Sequence, residues 1–201
     1  MRLWERIKKP KFYLQGVATY LPAPVAKFLP QHQEQFRTKN VHKYTSPYQE
    51  AMACYTSWMR TFVAMSERGV PLDFKVVAEI GSGDSLGVGF AALLSGADVF
   101  LALDMLPRAY NSDNEKILEE IIGFFKSRQK FWNREDSPKH RPYLDSYEFP
   151  RHILTDDLLE QYLAEERLEK IRAALRSRGK PTKESGEIAI RYAVPWDSDA
   201  F

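Results

Sequence analysis

Apolar residues recur at three- and four-residue spacing along a segment that opens with Ser46-Pro47-Tyr48-Gln49. In this tetrad the serine suits an N-cap, the proline the first helical position and the glutamine a capping box. Gly69 and Pro71 follow the last periodic residue and are typical of a helix end. We therefore predict a helix between these signals, with a buried face formed by Met52, Tyr55, Met59, Phe62 and Val63.

The next pattern is that of a β-α-β unit. Residues 75–80 form a short β-branched apolar run, which is typical of a strand buried in a parallel sheet. A glycine-rich loop occupies residues 81–85, small apolar residues predict a helix over 86–94, and Gly96 ends it. Residues 98–104 predict a second apolar strand.

The rest of the chain predicts two helical regions and a third strand. An apolar face runs along residues 111–127, whereas residues 128–154 are polar and broken by prolines, which indicates an irregular insertion. Thr155 can cap a helical run that extends to Gly179, and residues 187–192 have the composition of a strand. This order predicts an α/β protein with a Rossmann-like doubly wound parallel sheet, incomplete with about three strands. An N-terminal helical extension precedes this sheet, and a helical insertion separates the second and third strands.

These elements divide the chain into two predicted parts. Residues 1–74 form an N-terminal arm and helical extension, and residues 75–201 form the N-terminal part of a Rossmann-like domain with an insertion at about 128–180. Residues 1–45 mix basic with large apolar residues. A peripheral membrane contact through residues 1–30, or a lid over an active site, is therefore an alternative to an arm packed on the protein.

The composition limits the ligands and the compartment. Twenty-nine lysines and arginines against 27 aspartates and glutamates leave a net charge of +2, so nothing favours nucleic acid as the main partner. Cys54 is the single cysteine, which excludes an intrachain disulfide and fits a reducing compartment. The four histidines show no ligand spacing, and we predict no metal site. No run approaches the roughly 18 apolar residues of a membrane span, so we expect a cytoplasmic protein that acts on a small molecule.

The glycine-rich loop lies where a cofactor would approach the backbone, because Gly81 and Gly83 have no Cβ to obstruct it. It departs from the dinucleotide fingerprint, since the third glycine position holds Leu86, and it lacks the lysine of a P-loop. Asp84 stands where phosphates would bind, and two like charges at about 4 Å repel by roughly 1 kcal/mol in water. We therefore expect a ligand without phosphate at this loop.

The acidic residues around the loop favour a cation. Glu79 and Asp84 suit the ammonium and sulfonium groups of S-adenosylmethionine, which carries no phosphate. The second strand ends in Asp104, 23 residues beyond Gly81, close to the offset at which an acid binds ribose hydroxyls. Residues 76–104 thus predict a nucleoside-type cofactor site.

With Asp104 after the second strand, Glu79-Ile80-Gly81-Ser82-Gly83-Asp84-Ser85 resembles the first motifs of class I S-adenosylmethionine-dependent methyltransferases. The resemblance implies that Gly81, Ser82 and Gly83 bracket the methionine portion, Glu79 supports its amino group and Asp104 holds the ribose. Helix capping is the alternative role for Asp84 and Ser85, and a strand-ending turn is the alternative role for Asp104.

The resemblance also assigns the adenine end of the ligand. Met105 would lie against the adenine, and Asp197 is the best match to the acid near the adenine amine, with a simple turn as its alternative role. Residues 83–89 and 146–155 are similar to bacterial methyltransferase-domain proteins that are associated with surface-polysaccharide gene clusters. A class I methyltransferase sheet has about seven strands, so the resemblance implies an N-terminal portion of such an enzyme, or else a smaller fold.

Three functions follow as hypotheses. The first is an S-adenosylmethionine-dependent methyltransferase, represented by its cofactor-binding half, that methylates a small molecule or a glycan precursor. The second is a NAD-type oxidoreductase with a degenerate dinucleotide site. The third is a non-catalytic module that binds S-adenosylmethionine or a protein partner. The sequence nominates no catalytic residue for any of them.

Overall fold

The computed structural model describes residues 46–105, 107–111, 113–177 and 187–196. Five α-helices, one 3-10 helix and three β-strands occupy these residues. In chain order they are α1 (Pro47–Glu67), β1 (Val76–Ile80), α2 (Gly87–Leu93), β2 (Val99–Leu103), the 3-10 helix (Arg108–Asn111), α3 (Asn114–Lys126), α4 (Asp156–Tyr162), α5 (Glu165–Arg176) and β3 (Ala189–Ala193).

Helix α1 begins and ends at the predicted signals. The Ser46 hydroxyl accepts a hydrogen bond from the Gln49 N–H at 3.3 Å, which confirms the N-cap. After the helix Gly69 adopts φ +69°, a left-handed conformation typical of a C-terminal cap. The predicted inner face is buried throughout, at Met52, Tyr55, Met59, Phe62 and Val63.

The three strands form one parallel sheet in the order β1-β2-β3. Val76 lies opposite Val99, and Val99 lies opposite Ala189. The α/β class and the β-α-β unit are therefore confirmed, with the third strand at Ala189–Ala193, slightly later than residues 187–192. Because all strands run in one direction, their carboxyl ends meet at one edge of the sheet.

Strand β1 is exposed, so the prediction of a buried strand at residues 75–80 is wrong. Val76 and Ile80 are 55% and 73% exposed, and Ala78 between them is exposed as well. The opposite face is covered, since Phe100 of the neighbouring strand is fully buried beside the half-buried Val77. The apolar run correctly indicated a strand of a parallel sheet. However, β1 is an edge strand of the described sheet, and the outer face of this strand is not covered by the described residues.

Helix α2 approaches α1 and the sheet closely because of its glycines. A Cβ at Gly87 would lie 2.7 Å from the Cys54 Cβ, and one at Gly89 would lie 2.0 Å from the Phe100 ring. Only hydrogen atoms fit in either place. Because α2 packs so closely on α1, the end of the preceding loop also contacts α1, at Ser85 and Cys54.

Helix α3 completes the core that α1, α2 and the sheet form. Its predicted apolar face is buried, which confirms the periodicity, and it packs on both α1 and α2. The face consists of Ile117, Leu118, Ile121, Ile122, Phe124 and Phe125.

Residues 128–154 contain no helix or strand, as predicted, but they are firmly packed. The fully buried guanidinium of Arg60 donates to the carbonyl oxygens of Trp132, Asn133 and His140. These charge-assisted hydrogen bonds attach the insertion to α1.

The predicted single helical run after Thr155 is two helices, which corrects the sequence interpretation. Thr155 caps α4 as expected, accepting from the Leu158 N–H at 3.4 Å. The chain leaves helical geometry at Ala164, with φ −55° and ψ 134°, and α5 then presents Arg167 to the carbonyl oxygen of Ala97 at 2.6 Å. Gly179, the predicted end of the run, lies outside the described residues.

None of the described helices is long and apolar enough to cross a membrane. The predicted peripheral contact through residues 1–30 lies outside the described residues.

Candidate functional site

The glycine loop follows β1 at the carboxyl edge of the sheet. Gly81 and Gly83 have φ values of +79° and +71°, in the left-handed region that favours glycine. A Cβ built on Gly81 would meet nothing within 4 Å, and one on Gly83 would meet only the Gly81 carbonyl at 4.0 Å. The loop thus needs glycine for its backbone conformation, and it leaves open space through which a ligand can approach the backbone.

Asp104 lies beside this loop. Its Oδ2 accepts a hydrogen bond from the Gly83 N–H at 2.9 Å, and its Oδ1 accepts from the Met105 N–H at 2.7 Å. The Gly81 N–H extends the pairing by donating to the Leu103 carbonyl at 2.7 Å. Each carboxylate oxygen has a second lone pair, so Asp104 can also accept from hydroxyl groups of a ligand.

Two buried polar atoms on the loop side of β1 have no hydrogen-bond partner. They are Oε2 of Glu79 and the hydroxyl oxygen of Ser82. Burying such an atom without a partner costs about 1–3 kcal/mol, so native proteins keep few of them. In the chain, Glu79 and Ser82 lie on either side of Gly81.

The Glu79 carboxyl is electrostatically perturbed. Burial and, to a smaller extent, the nearby negative charge of Asp104 together raise its pKa to about 7. A cation bound beside Glu79 would favour the ionised carboxylate and so lower this pKa again. Carboxyls with raised pKa values are concentrated at functional sites, because burial and charge are arranged there for binding or chemistry.

The remaining predicted residues of the loop region lie in different environments. Ser85 is buried, and its hydroxyl lies 3.4 Å from the Cys54 sulfur on the side of α1. Asp84 is half-buried in the turn after Gly83. Met105 is 50% exposed at the end of β2, on the same sheet edge as the loop. The structure thus brings Met105 and the loop to one edge, while the Ser85 side chain contacts the protein interior.

The chain after β3 reaches the same edge. The Trp196 N–H donates to the carbonyl of Asp104 at 3.1 Å, which places this residue beside the predicted ribose acid. Asp197 itself lies outside the described residues. Only the sequence Pro195-Trp196 next to Asp197 marked this segment in advance.

Sequence reasoning missed Asn114, the first residue of α3. Its Oδ1 accepts from the Leu86 N–H at 3.0 Å, and its Nδ2 donates to the Ala109 carbonyl at 2.7 Å. An asparagine at the start of a helix is common, so no sequence signal distinguished it.

A surface cavity of about 370 Å³ lies elsewhere, between α3 and α5. Arg172 in its wall is hydrogen-bonded to Glu119, Glu165 and Glu169, so these charged groups satisfy one another. None of the residues that line this cavity belongs to the glycine loop. Among the described residues, no group of three or more histidines, cysteines, aspartates or glutamates could hold a metal ion.

No protein-family model, curated protein or solved structure matches this chain. The geometry and charge of the loop are therefore the basis on which a function can be assigned to this chain.

Proposed function

We propose that the chain binds S-adenosylmethionine at the carboxyl edge of β1 and β2 and serves methyl transfer to a small molecule or a glycan precursor. The supporting observation is the pair of unpartnered buried atoms, Glu79 Oε2 and Ser82 Oγ, beside an open glycine turn. A ligand with an ammonium group and polar hydrogens would satisfy both.

The charge of the site supports a cationic ligand. Glu79, Asp84 and Asp104 lie within or next to one loop, and they would repel a phosphate while attracting a sulfonium or ammonium group. A dinucleotide would place its phosphates among these acids. This arrangement favours the methyltransferase hypothesis over the oxidoreductase hypothesis.

Each residue has a defined task in this proposal. Glu79 accepts from the amino group of the ligand, Gly81 and Gly83 let it lie against the backbone, Asp104 accepts from the ribose hydroxyls and Met105 contacts the adenine. When bound, S-adenosylmethionine supplies an electrophilic methyl group. The described residues bind and orient the ligand, and the contribution to rate that they can make is positioning of the methyl carbon toward an acceptor.

We also propose that the described sheet belongs to a Rossmann-like doubly wound sheet. Such sheets carry helices on both faces, and their strands are buried. In the described residues the outer face of β1 carries the exposed apolar residues Val76, Ala78 and Ile80, which is the kind of surface on which a second helical layer of such a sheet packs. The cytoplasmic location remains a prediction.

Calorimetric titration of the full chain with S-adenosylmethionine, S-adenosylhomocysteine and NAD tests the cofactor. We expect both adenosyl ligands to bind and NAD not to bind. Binding of NAD alone would refute the proposal and support the oxidoreductase hypothesis. Incubation with methyl-labelled S-adenosylmethionine and a panel of glycans then tests transfer, and binding without transfer would favour the non-catalytic module.

A matched pair of variants tests the role of charge. Glu79→Gln removes the buried carboxylate with little change of shape, whereas Glu148→Gln removes an exposed one in the insertion. We expect the first to weaken S-adenosylmethionine binding by about tenfold or more, the size of one lost charged hydrogen bond. The second should leave the affinity unchanged, and equal affinities for both variants would contradict the role of Glu79.

A further inference from the structure

Two separate segments form the site, and two side chains connect them: Asp104, which accepts from the Gly83 N–H, and Asn114. The first segment is the glycine loop, which ends at Leu86, and the second consists of residues 104–105 and 107–109 after β2. Asn114 accepts from the Leu86 N–H and donates to the Ala109 carbonyl, at 3.0 and 2.7 Å. We call this pair of hydrogen bonds the Asn114 bridge.

The bridge requires a carboxamide. Asparagine presents an acceptor and a donor on one short planar group, whereas aspartate can only accept when ionised and alanine can do neither. Helix α2 has no side-chain cap of its own at Leu86, so Asn114 satisfies this N–H. The bond therefore fixes the start of α2 and the end of the loop together.

The second segment is held from two sides. Ala109 is 1% exposed, its carbonyl accepts from Asn114, and its N–H donates to the Tyr192 hydroxyl of β3 at 3.3 Å. Because Leu86 and Ala109 share Asn114, the glycine loop cannot move away from the Asp104 segment without breaking a hydrogen bond.

We infer that Asn114 is a positioning residue for the cofactor, because, together with the Gly83–Asp104 hydrogen bond, it fixes the separation of the two segments that the ligand must contact together. This inference rests on the proposed function. The methionine portion lies at Gly81–Gly83 in that proposal, and the ribose and adenine lie at Asp104 and Met105. A ligand that spans both segments binds more tightly when their separation is already set, since less order must be gained on binding.

Asn114→Ala tests the inference against the matched control Asp113→Ala. Asp113 is the N-cap of the same helix and accepts from the Lys116 N–H, but it takes no part in the bridge. We expect Asn114→Ala to weaken S-adenosylhomocysteine binding by about tenfold, the upper range for a lost hydrogen bond. Asp113→Ala should weaken α3 but leave the affinity within twofold of the wild type.

Amide hydrogen exchange provides a readout that does not depend on the ligand. In Asn114→Ala we expect faster exchange at Leu86 and across residues 81–85, 104–105 and 108–109, with no such change in Asp113→Ala. Asn114→Asp keeps the acceptor for Leu86 and loses the donor to Ala109, so it should fall between the wild type and the alanine variant.

The outcomes separate this inference from the proposed function. If the wild-type chain does not bind S-adenosylhomocysteine, the proposed function fails, and unchanged exchange at Leu86 in Asn114→Ala would overturn the bridge on its own. If the wild type binds, faster exchange with unchanged affinity would show that the bridge does not position the ligand. Equal losses of affinity in Asn114→Ala and Asp113→Ala would assign Asn114 to helix stability alone.

Discussion

Glu79 is expected to weaken the ligand-free fold, and Glu79→Gln measures by how much. Burial raises its pKa from 4.5 to about 7, so the folded chain retains a proton that the unfolded chain has released across this window. Below pH 4.5 the carboxyl is protonated in both the folded and the unfolded chain and costs no stability. As the pH rises through 7, the stability that the retained proton provides is lost. At about 1.4 kcal/mol per pKa unit, the loss is about 3 kcal/mol, most of it between pH 5 and pH 8.

The assay is urea unfolding of the wild type and Glu79→Gln at pH 5 and pH 8, with Glu148→Gln as the exposed control. The free-energy advantage of Glu79→Gln over the wild type should increase by about 2–3 kcal/mol from pH 5 to pH 8. Glu148→Gln should show no such increase, because its carboxylate is exposed. If the stability advantage of Glu79→Gln is the same at both pH values, or decreases, Glu79 is not a buried carboxyl with a raised pKa.

Three further predictions concern the glycine loop, the outer face of β1 and the Asp104 carboxylate. Gly83→Ala should destabilise the fold by about 1–2 kcal/mol because of its positive φ, whereas Gly123→Ala inside α3 should stabilise it by about 0.5–1 kcal/mol; urea unfolding decides, and destabilisation by both would contradict this. Ile80→Ala should change stability by less than about 0.5 kcal/mol, against about 3–5 for Phe100→Ala. A large effect at Ile80 in the same assay would mean that β1 is covered in solution. Asp104→Ala should weaken S-adenosylhomocysteine binding by about 1–3 kcal/mol in calorimetry, and a smaller loss would assign Asp104 to its turn.

Much of the fold was predictable because local chemistry determines it. The Ser46 cap, the α3 stripe and the β-α-β unit depend on residues close in sequence, and each is present as predicted. The exposure of β1 was not predictable, because an apolar run has the same appearance whether or not another element covers it. The break at Ala164 was also missed, since both flanking segments favour helix and tertiary packing determined the turn.

The candidate site divides in the same way. Gly81, Gly83 and Asp104 could be identified from their positions relative to two strands, and parallel pairing brings them together. The unpartnered state of Glu79 and the bridge of Asn114 depend on distances between segments far apart in sequence. Such relations are visible only in the structure. The buried, unpartnered Glu79 carboxyl therefore supports a cationic ligand more directly than the sequence motif does.

Amide hydrogen exchange of the full chain, with and without saturating S-adenosylhomocysteine, tests ligand binding at the glycine loop most directly. We predict slower exchange at residues 79–85, 104–105 and 108–109 on addition of the ligand, and no change at Glu119 and Arg172 in the cavity between α3 and α5. Unchanged exchange at residues 79–85, or protection confined to that cavity, would contradict the proposed site.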